Sequence, residues 1–128
     1  MGLQNEKVLA NIAVTDAAGA KEFYEGKLGL KPTRNETDGG TTYACADGTA
    51  LHVYQSPGGA GVSTATQVGW VTDDIDAAVN ELAANGVKFE QYDTEQLKTD
   101  SKGIASMGDG RAAWFKDPDG NVLGLLMY

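Results

Sequence analysis

Residues 8–16 of the chain read VLANIAVTD, and residues 66–74 read TQVGWVTDD. Both stretches are apolar over the length of a strand and end in aspartates, which are suited to cap the N-terminus of a helix. The residues that follow, 17–28 and 75–85, place apolar side chains three and four positions apart, and this spacing predicts a helix in each case. The chain therefore contains an internal repeat that begins with a strand and a helix.

Three further strands complete each repeat. Gly29 and Gly86 end the two helical patterns at positions where helix C-caps favour glycine, and an extended segment follows each of them. A hairpin is predicted next. The first hairpin turns at Asp47-Gly48, a dipeptide typical of two-residue turns, and the second turns at 117–120, Asp-Pro-Asp-Gly. Each half is therefore predicted to be β-α-β-β-β.

This repeat predicts an α+β fold, with two tandem βαβββ modules in a single domain of residues 1–128. Module 1 covers about residues 7–55, module 2 covers about residues 65–128, and a linker rich in turn-forming residues, 56–64, joins them. In each module one face of the sheet is covered by the helix and the other face is bare. We expect the two mixed sheets to pair through their bare faces into an open cup, with the helices on the outside.

Composition and charge narrow the class of function. The chain has 41% hydrophobic and 22% charged residues, which is ordinary for a globular domain. Its net charge of −8 repels phosphate backbones and anionic lipids, so we expect neither a nucleic-acid partner nor a membrane partner. The first residues lack the basic and apolar regions of a signal peptide, and we therefore expect a cytoplasmic protein.

Several motifs resemble those of the vicinal oxygen chelate superfamily, which includes glyoxalases, bleomycin resistance proteins and extradiol dioxygenases. The motifs are Phe23-Tyr24 with Leu28-Gly29-Leu30, Trp70 followed by Thr72-Asp73-Asp74-Ile75-Asp76-Ala77, and Ala113-Trp114-Phe115-Lys116-Asp117-Pro118-Asp119-Gly120-Asn121. The likeness extends from Val8 to Leu126. It implies a small-molecule ligand in the cup. It also implies a homodimer, because members commonly pair modules within a chain or exchange them between two chains.

The resemblance also implies where a metal would lie. Metal-using members carry ligands on the first and last strands of each module, at positions that here are Leu9, His52, Gln67 and Gly124. Leu9 has no donor atom and Gly124 has no side chain, which leaves His52 and Gln67 as the possible ligands. Two ligands are fewer than the three that hold a catalytic divalent ion. We expect no metal site and no cofactor, with a bound divalent metal as the alternative.

A two-residue turn at Asp47-Gly48 would determine which residues of module 1 face the cup. In that register Tyr43 lies opposite His52, and both share a face with Tyr54. The matching argument for module 2 places Phe115 toward the cup and Trp114 toward the helix. The predicted ligand-binding residues are Asn11, Tyr43, His52, Tyr54, Gln67 and Phe115.

These residues are compatible with three functions. The first is a metal-independent protein that binds or sequesters a small aromatic or amphipathic molecule. The second is an enzyme, a glyoxalase-like lyase or isomerase with His52 as catalytic base, or a dioxygenase-type enzyme with His52 in a metal site. The enzyme lacks an electrophile, because the deduced lining contains neither Arg nor Lys. The third is a partner subunit that acts through its surface.

The segment 93–110 is longer than a simple connection between two strands. Its eighteen residues contrast with the shorter run 34–40 in module 1, and long loops in compact domains are often functional or disordered. Leu97, Ile104 and Met107 could fold inward as a flap over the mouth of the cup. A mobile loop without a role is the alternative interpretation.

Overall fold

The computed structural model describes residues 2–37 and 39–128. The chain divides into two compact units, Met1–Val62 and Ser63–Tyr128, and each unit contains one of the predicted modules. Each module has one mixed four-stranded sheet and one main helix in the order β-α-β-β-β. The prediction of an α+β fold with two tandem βαβββ modules is confirmed.

Module 1 has the sheet order β1-β4-β3-β2, in which β1 and β4 are parallel and the other neighbours are antiparallel. Its helix begins as an α-helix and continues without a break as a π-helical segment. The strands are β1 (Leu9–Val14), β2 (Pro32–Asn35), β3 (Thr41–Ala44) and β4 (Ala50–Gln55); the helix consists of α1 (Ala17–Lys21) and the π-helical Glu22–Lys27; 3-10 turns cover Leu3–Asn5 and Ala46–Gly48.

Module 2 repeats this topology with the sheet order β5-β8-β7-β6, in which β5 and β8 are parallel. The elements are β5 (Thr66–Val71), α2 (Ile75–Ala84), β6 (Ile104–Met107), β7 (Gly110–Lys116) and β8 (Val122–Met127). Within the described ranges, no helix has both the length and the apolar character needed to cross a membrane.

The helix ends follow the sequence signals closely. The Asp16 carboxylate accepts a hydrogen bond from the backbone N–H of Ala18, and the Asp74 carboxylate accepts one from Ala77, each at 3.1 Å. These bonds satisfy N–H groups that the first turn of a helix leaves without partners. At the other ends, Gly29 and Gly86 adopt φ values of +74° and +96°, which glycine tolerates without steric cost.

The core of each module lies between its helix and one face of its sheet. The buried side chains of module 1 include Ile12, Val14, Phe23, Tyr24, Leu51 and Val53, and those of module 2 include Ile75, Val79, Ile104, Phe115, Leu123 and Leu125. Burial of each such side chain stabilises the fold by about 1.5–3 kcal/mol. The opposite face of each sheet, which we call the helix-free face, is more exposed.

An ion pair connects the start of α2 to β7 in module 2. The Arg111 guanidinium donates two hydrogen bonds to the Asp76 carboxylate, at 2.8 and 3.2 Å. These bonds hold the pKa of Asp76 below its ordinary value. The pair confirms that Arg111, and with it every second residue of β7, points toward the helix.

The segment 93–110 contains a strand that the sequence analysis missed. β6 (Ile104–Met107) pairs with β7 through a short turn, so Ile104 is a buried strand residue and is not part of a flap. The residues before it are ordered by their own hydrogen bonds. Tyr92 and Thr99 exchange backbone and hydroxyl bonds, and Asp100 accepts the N–H of Ile104. The irregular part of the connection therefore ends at residue 103.

We predict that Gly103→Ala destabilises module 2 more than Gly108→Ala does. Both glycines have positive φ, +90° and +60°, so each alanine suffers a backbone cost of about 1–2 kcal/mol. At Gly103 a Cβ would also lie 2.8 Å from the Phe89 Cβ and 3.0 Å from the Glu90 carbonyl oxygen, whereas at Gly108 it meets nothing within 4 Å. Urea unfolding should show an additional loss of about 1–3 kcal/mol for Gly103→Ala. Equal losses would contradict the packing described.

Candidate functional site

The helix-free face of module 1 brings Asn11 and His52 together. The parallel register of β1 and β4 pairs these two residues directly, and the Asn11 Oδ1 lies 3.1 Å from the His52 Nδ1. The Asn11 Nδ2 donates to the Leu9 carbonyl oxygen at 3.3 Å, which fixes the orientation of the amide. Because Oδ1 can only accept, a hydrogen bond across this contact places the hydrogen of His52 on Nδ1. The lone pair of a neutral His52 is therefore on Nε2.

The Nε2 atom of His52 is in an unusual environment. It is buried, and it has no hydrogen-bond partner among the residues that the structure describes. Buried polar atoms are nearly always paired in native proteins. A histidine held through one nitrogen, with the other left as an acceptor, is the arrangement expected of a ligand contact or a general base.

Tyr54 extends this site along β4. Its ring stacks on His52 with a centroid separation of 5.6 Å and an interplanar angle of 19°. Residues two apart in a strand share a face, so Tyr54 lies on the helix-free face as the sequence predicted. The two half-buried rings present an aromatic surface next to the polar pair.

Tyr43 does not join this surface, and the prediction that placed it there is wrong. The connection between β3 and β4 is a five-residue loop, 45–49, in place of the two-residue turn. Tyr43 consequently pairs with Leu51 and faces the helix, where it is 1% exposed. Its hydroxyl donates to the Glu25 carboxylate at 2.9 Å, and its ring stacks on Tyr24 with centroids 6.4 Å apart.

Thr42 takes the place that Tyr43 was expected to fill. It pairs with His52 across the strands, and Arg34 of β2 pairs with Thr42 in turn. Directly paired residues share a face, so Asn11, His52, Thr42 and Arg34 form one row across all four strands. We call this set the polar row. Arg34 corrects the expectation that the lining lacks a cation, although Glu36 neutralises it through an ion pair of 2.8 Å.

In module 2 the faces of Phe115 and Trp114 are the reverse of the prediction. The loop between β7 and β8 also has five residues, 117–121, so Phe115 pairs with Leu123 and Trp114 pairs with Gly124. Phe115 is fully buried in the core of the module, where it stacks on Trp70 with centroids 6.4 Å apart. Phe115 therefore has no accessible surface for a ligand.

Trp114 is the aromatic residue on the helix-free face of module 2 that the sequence analysis missed. It is half-buried on the helix-free face of module 2, and a Cβ added at Gly124 would lie 3.4 Å from its ring. The ring of Tyr92 packs against it edge-on at 5.8 Å. Gln67 is exposed at the register shift of β5, where its amide donates to the Ala65 carbonyl oxygen at 3.1 Å. If the sequence analysis had assumed a five-residue loop at 117–121, the resulting register would have placed Trp114 on the helix-free face.

A surface depression of about 410 Å³ lies between residues 91–93 and 98–101 of module 2. Its walls are polar and bond to one another, as in the hydrogen bond from the Gln91 amide to the Ser101 carbonyl oxygen at 2.9 Å. The residues predicted to bind a ligand lie outside this depression. We place the candidate site on the helix-free face of module 1, which brings three of them together.

The residues at the inherited metal positions do not fit a divalent ion. Module 1 offers His52 alone, since Leu9 has no donor, and module 2 offers the Gln67 amide alone, since Gly124 has no side chain. Among residues 2–37 and 39–128, no group of three or more His, Cys, Asp or Glu side chains could hold a metal ion. We derive no chemistry through a metal.

Two βαβββ modules in tandem, each with a four-stranded mixed sheet, define a class of small α+β proteins with duplicated modules. Residues 8–125 match the Glyoxalase/Bleomycin resistance protein/Dioxygenase superfamily. The chain belongs to this superfamily, and the resemblance seen in its motifs is confirmed. No curated protein matches it.

Solved structures of the superfamily align over nearly the whole chain. A glyoxalase/bleomycin resistance protein from Catenulispora acidiphila DSM 44928 is 24% identical with a TM-score of 0.72, over 95% of this chain and 97% of that chain. TnmS3, an antibiotic binding protein from Streptomyces sp. CB03234, is 26% identical with a TM-score of 0.72, over 96% and 95%. A glyoxalase/bleomycin resistance protein from the same Streptomyces is 26% identical with a TM-score of 0.66, over 94% and 98%.

We predict that Tyr43→Phe changes how stability depends on pH. Burial, followed by the hydrogen bond to Glu25, raises the pKa of the Tyr43 hydroxyl well above its ordinary value. The protonated Tyr43 hydroxyl therefore contributes its full stabilisation of the native protein below about pH 10. This stabilisation is lost as the pH rises further, because Tyr43 ionises in the unfolded chain before it does in the native protein. The variant should be about 1 kcal/mol less stable at pH 8, and it should lose less stability between pH 8 and pH 10.5.

Urea unfolding at the two pH values measures this difference. Tyr128→Phe is the matched control, because Tyr128 is 87% exposed and should behave like the native chain. If the free energy of unfolding changes with pH in the same way for the native protein and for Tyr43→Phe, the result would contradict the buried position of the hydroxyl.

Proposed function

We propose that this protein binds a small aromatic or amphipathic molecule on the helix-free face of one module without a metal, and that it acts by binding or sequestering this molecule. The observation that carries the proposal is the stack of His52 on Tyr54 beside the polar pair formed with Asn11. Aromatic surface combined with a few oriented polar groups is typical of small-molecule sites. Trp114 supplies further aromatic surface in module 2.

Similarity to TnmS3 supports this proposal. TnmS3 is described as an antibiotic binding protein, and it aligns with 96% of this chain at 26% identity. By this similarity we propose an antibiotic-like small organic molecule as the ligand. We further propose that the protein forms a homodimer, as the superfamily resemblance implies, and that it acts in the cytoplasm.

Metal independence is part of the proposal and rests on the donor atoms. Leu9 and Gly124 stand at two of the four inherited ligand positions, and neither offers a side-chain donor. The two remaining positions, His52 and Gln67, provide one neutral nitrogen or oxygen donor each. Divalent catalytic ions are generally held by three or more protein ligands.

The alternative is a metal-free lyase or isomerase in which His52 acts as general base. The unpaired Nε2 favours it, because that atom could take a proton from a carbon acid. Arg34 lies in the same row and could stabilise an oxyanion. Its ion pair with Glu36 weakens this role, and we rank the enzyme second.

We predict that Tyr54→Ala weakens ligand binding about threefold to tenfold, since an aromatic contact contributes about 0.5–1.5 kcal/mol. A panel of two- and three-ring aromatic compounds, screened by quenching of tryptophan fluorescence, identifies the ligand, and calorimetry compares the affinities. Tyr128→Ala removes the same ring from an exposed terminus and should not change the affinity. If Tyr54→Ala and the native protein bind the ligand with equal affinity, the ligand does not bind on the helix-free face of module 1.

We also predict that the protein purified without an affinity tag contains far less than one divalent metal ion per chain. Elemental mass spectrometry measures the content directly. A ratio near one would contradict the metal-free proposal, because His52 and Gln67 would then need partners outside the donor set described. That result would make an enzyme the preferred function over a binding protein.

A further inference from the structure

We propose that the ligand is a hydroxylated aromatic molecule whose hydroxyl group donates a hydrogen bond to the Nε2 of His52. This inference rests on the proposed function and specifies the chemical class of the ligand. It follows from the hydrogen bonds on the helix-free face of module 1, which leave one buried polar atom of the described residues, the His52 Nε2, without a partner.

Asn11 acts as a positioning residue for the imidazole. Its Nδ2 is engaged by the Leu9 carbonyl oxygen, so its Oδ1 is the atom turned toward His52. A carbonyl oxygen cannot donate, and the pair therefore requires the hydrogen on Nδ1. Nε2 becomes a fixed acceptor, and a ligand that offers only acceptors would face it without a partner.

The rest of the polar row is already engaged. The Thr42 hydroxyl donates to the Glu36 carboxylate at 3.4 Å, and Arg34 donates to the same carboxylate at 2.8 and 3.2 Å. Nε2 is the buried polar-row atom that lacks a hydrogen bond among the described residues. A donor on the ligand would meet this need, whereas an apolar ligand would leave it unmet.

The ring of Tyr54 determines the remainder of the ligand. Its stack with His52 places an aromatic plane beside the acceptor. A phenol combines an apolar ring for this plane with an O–H donor at its edge. Because Nε2 is buried, we expect the side chains around it to move as the hydroxyl enters.

Two matched probes test the inference, 2-naphthol and 2-methoxynaphthalene. They share a two-ring system, and only the first can donate a hydrogen bond. Calorimetry at pH 8 should show that the native protein binds 2-naphthol about tenfold more tightly. His52→Phe keeps a ring of similar size, so it should bind both probes with the lower affinity.

The outcomes separate this inference from the proposed function. Equal binding of both probes by the native protein would overturn the inference and leave aromatic binding in place. This is the result expected if an internal water already donates a hydrogen bond to Nε2. Binding of neither probe, together with no ligand in the aromatic panel, would overturn the proposed function itself. If His52→Phe keeps the tenfold preference for 2-naphthol, the hydroxyl group of the probe must donate to a residue other than His52. This result would also overturn the inference.

Nitrogen-15 NMR tests the positioning step without any variant at His52. The chain has a single histidine, so its ring signals need no assignment. At pH 8 the native protein should show a protonated Nδ1 and a bare Nε2, and 2-naphthol should shift Nε2 where 2-methoxynaphthalene does not. Asn11→Ala should shift the tautomer balance toward protonated Nε2. A native histidine protonated on Nε2 would refute the proposal.

Discussion

The two hairpin loops 45–49 and 117–121 determine which side chains of β3, β4, β7 and β8 face the helices. Each loop is closed by the same backbone bond, from Cys45 to Thr49 at 2.8 Å and from Asp117 to Asn121 at 3.0 Å. Since successive side chains in a strand point to opposite faces, a loop one residue longer or shorter would turn one strand of the hairpin over relative to the other. The core and the candidate site both depend on this register.

The sequence predicted the order of elements and the helix caps because those signals are local. Asp74, for instance, needs only the N–H of Ala77 to act as a cap. The hairpin register could not be predicted in this way. Asp47 and Gly48 do adopt the left-handed conformation that an Asp-Gly turn requires, with φ of +57° and +78°, but within a five-residue loop. The dipeptide indicates a turn and leaves the loop length open.

Strand β6 was missed for a different physical reason. Ile104–Met107 is short and lies between glycine-rich, polar residues, so its own sequence offers little pattern. Its strand conformation comes from pairing with β7, a contact with a neighbour that no local window contains. The two errors shaped the predicted site: Asn11, His52 and Tyr54 were identified correctly as residues of the helix-free face, whereas Tyr43 and Phe115 exchanged faces with Thr42 and Trp114.

The repeat carries opposite chemistry at the same register positions. Where β4 of module 1 has His52, β8 of module 2 has Gly124, and the residues paired with them on the antiparallel neighbours are Thr42 and Trp114. The glycine leaves the space that the indole occupies. Module 1 thus offers hydrogen-bonding groups and module 2 offers apolar surface. A Cβ at residue 124 would lie 3.4 Å from the Trp114 ring, so a side chain at this position would pack against the aromatic surface.

This division bears on how selective binding could be. Apolar contact with Trp114 or Tyr54 discriminates weakly, because a methylene or a methyl group changes the binding energy by only about 1–3 kcal/mol. A buried acceptor discriminates more strongly, since every ligand without a donor leaves it unpaired. In module 1 the hydrogen bonds of Asn11 and Glu36 satisfy the other members of the polar row. Selectivity would therefore be concentrated at the His52 Nε2, with affinity supplied by the neighbouring ring of Tyr54.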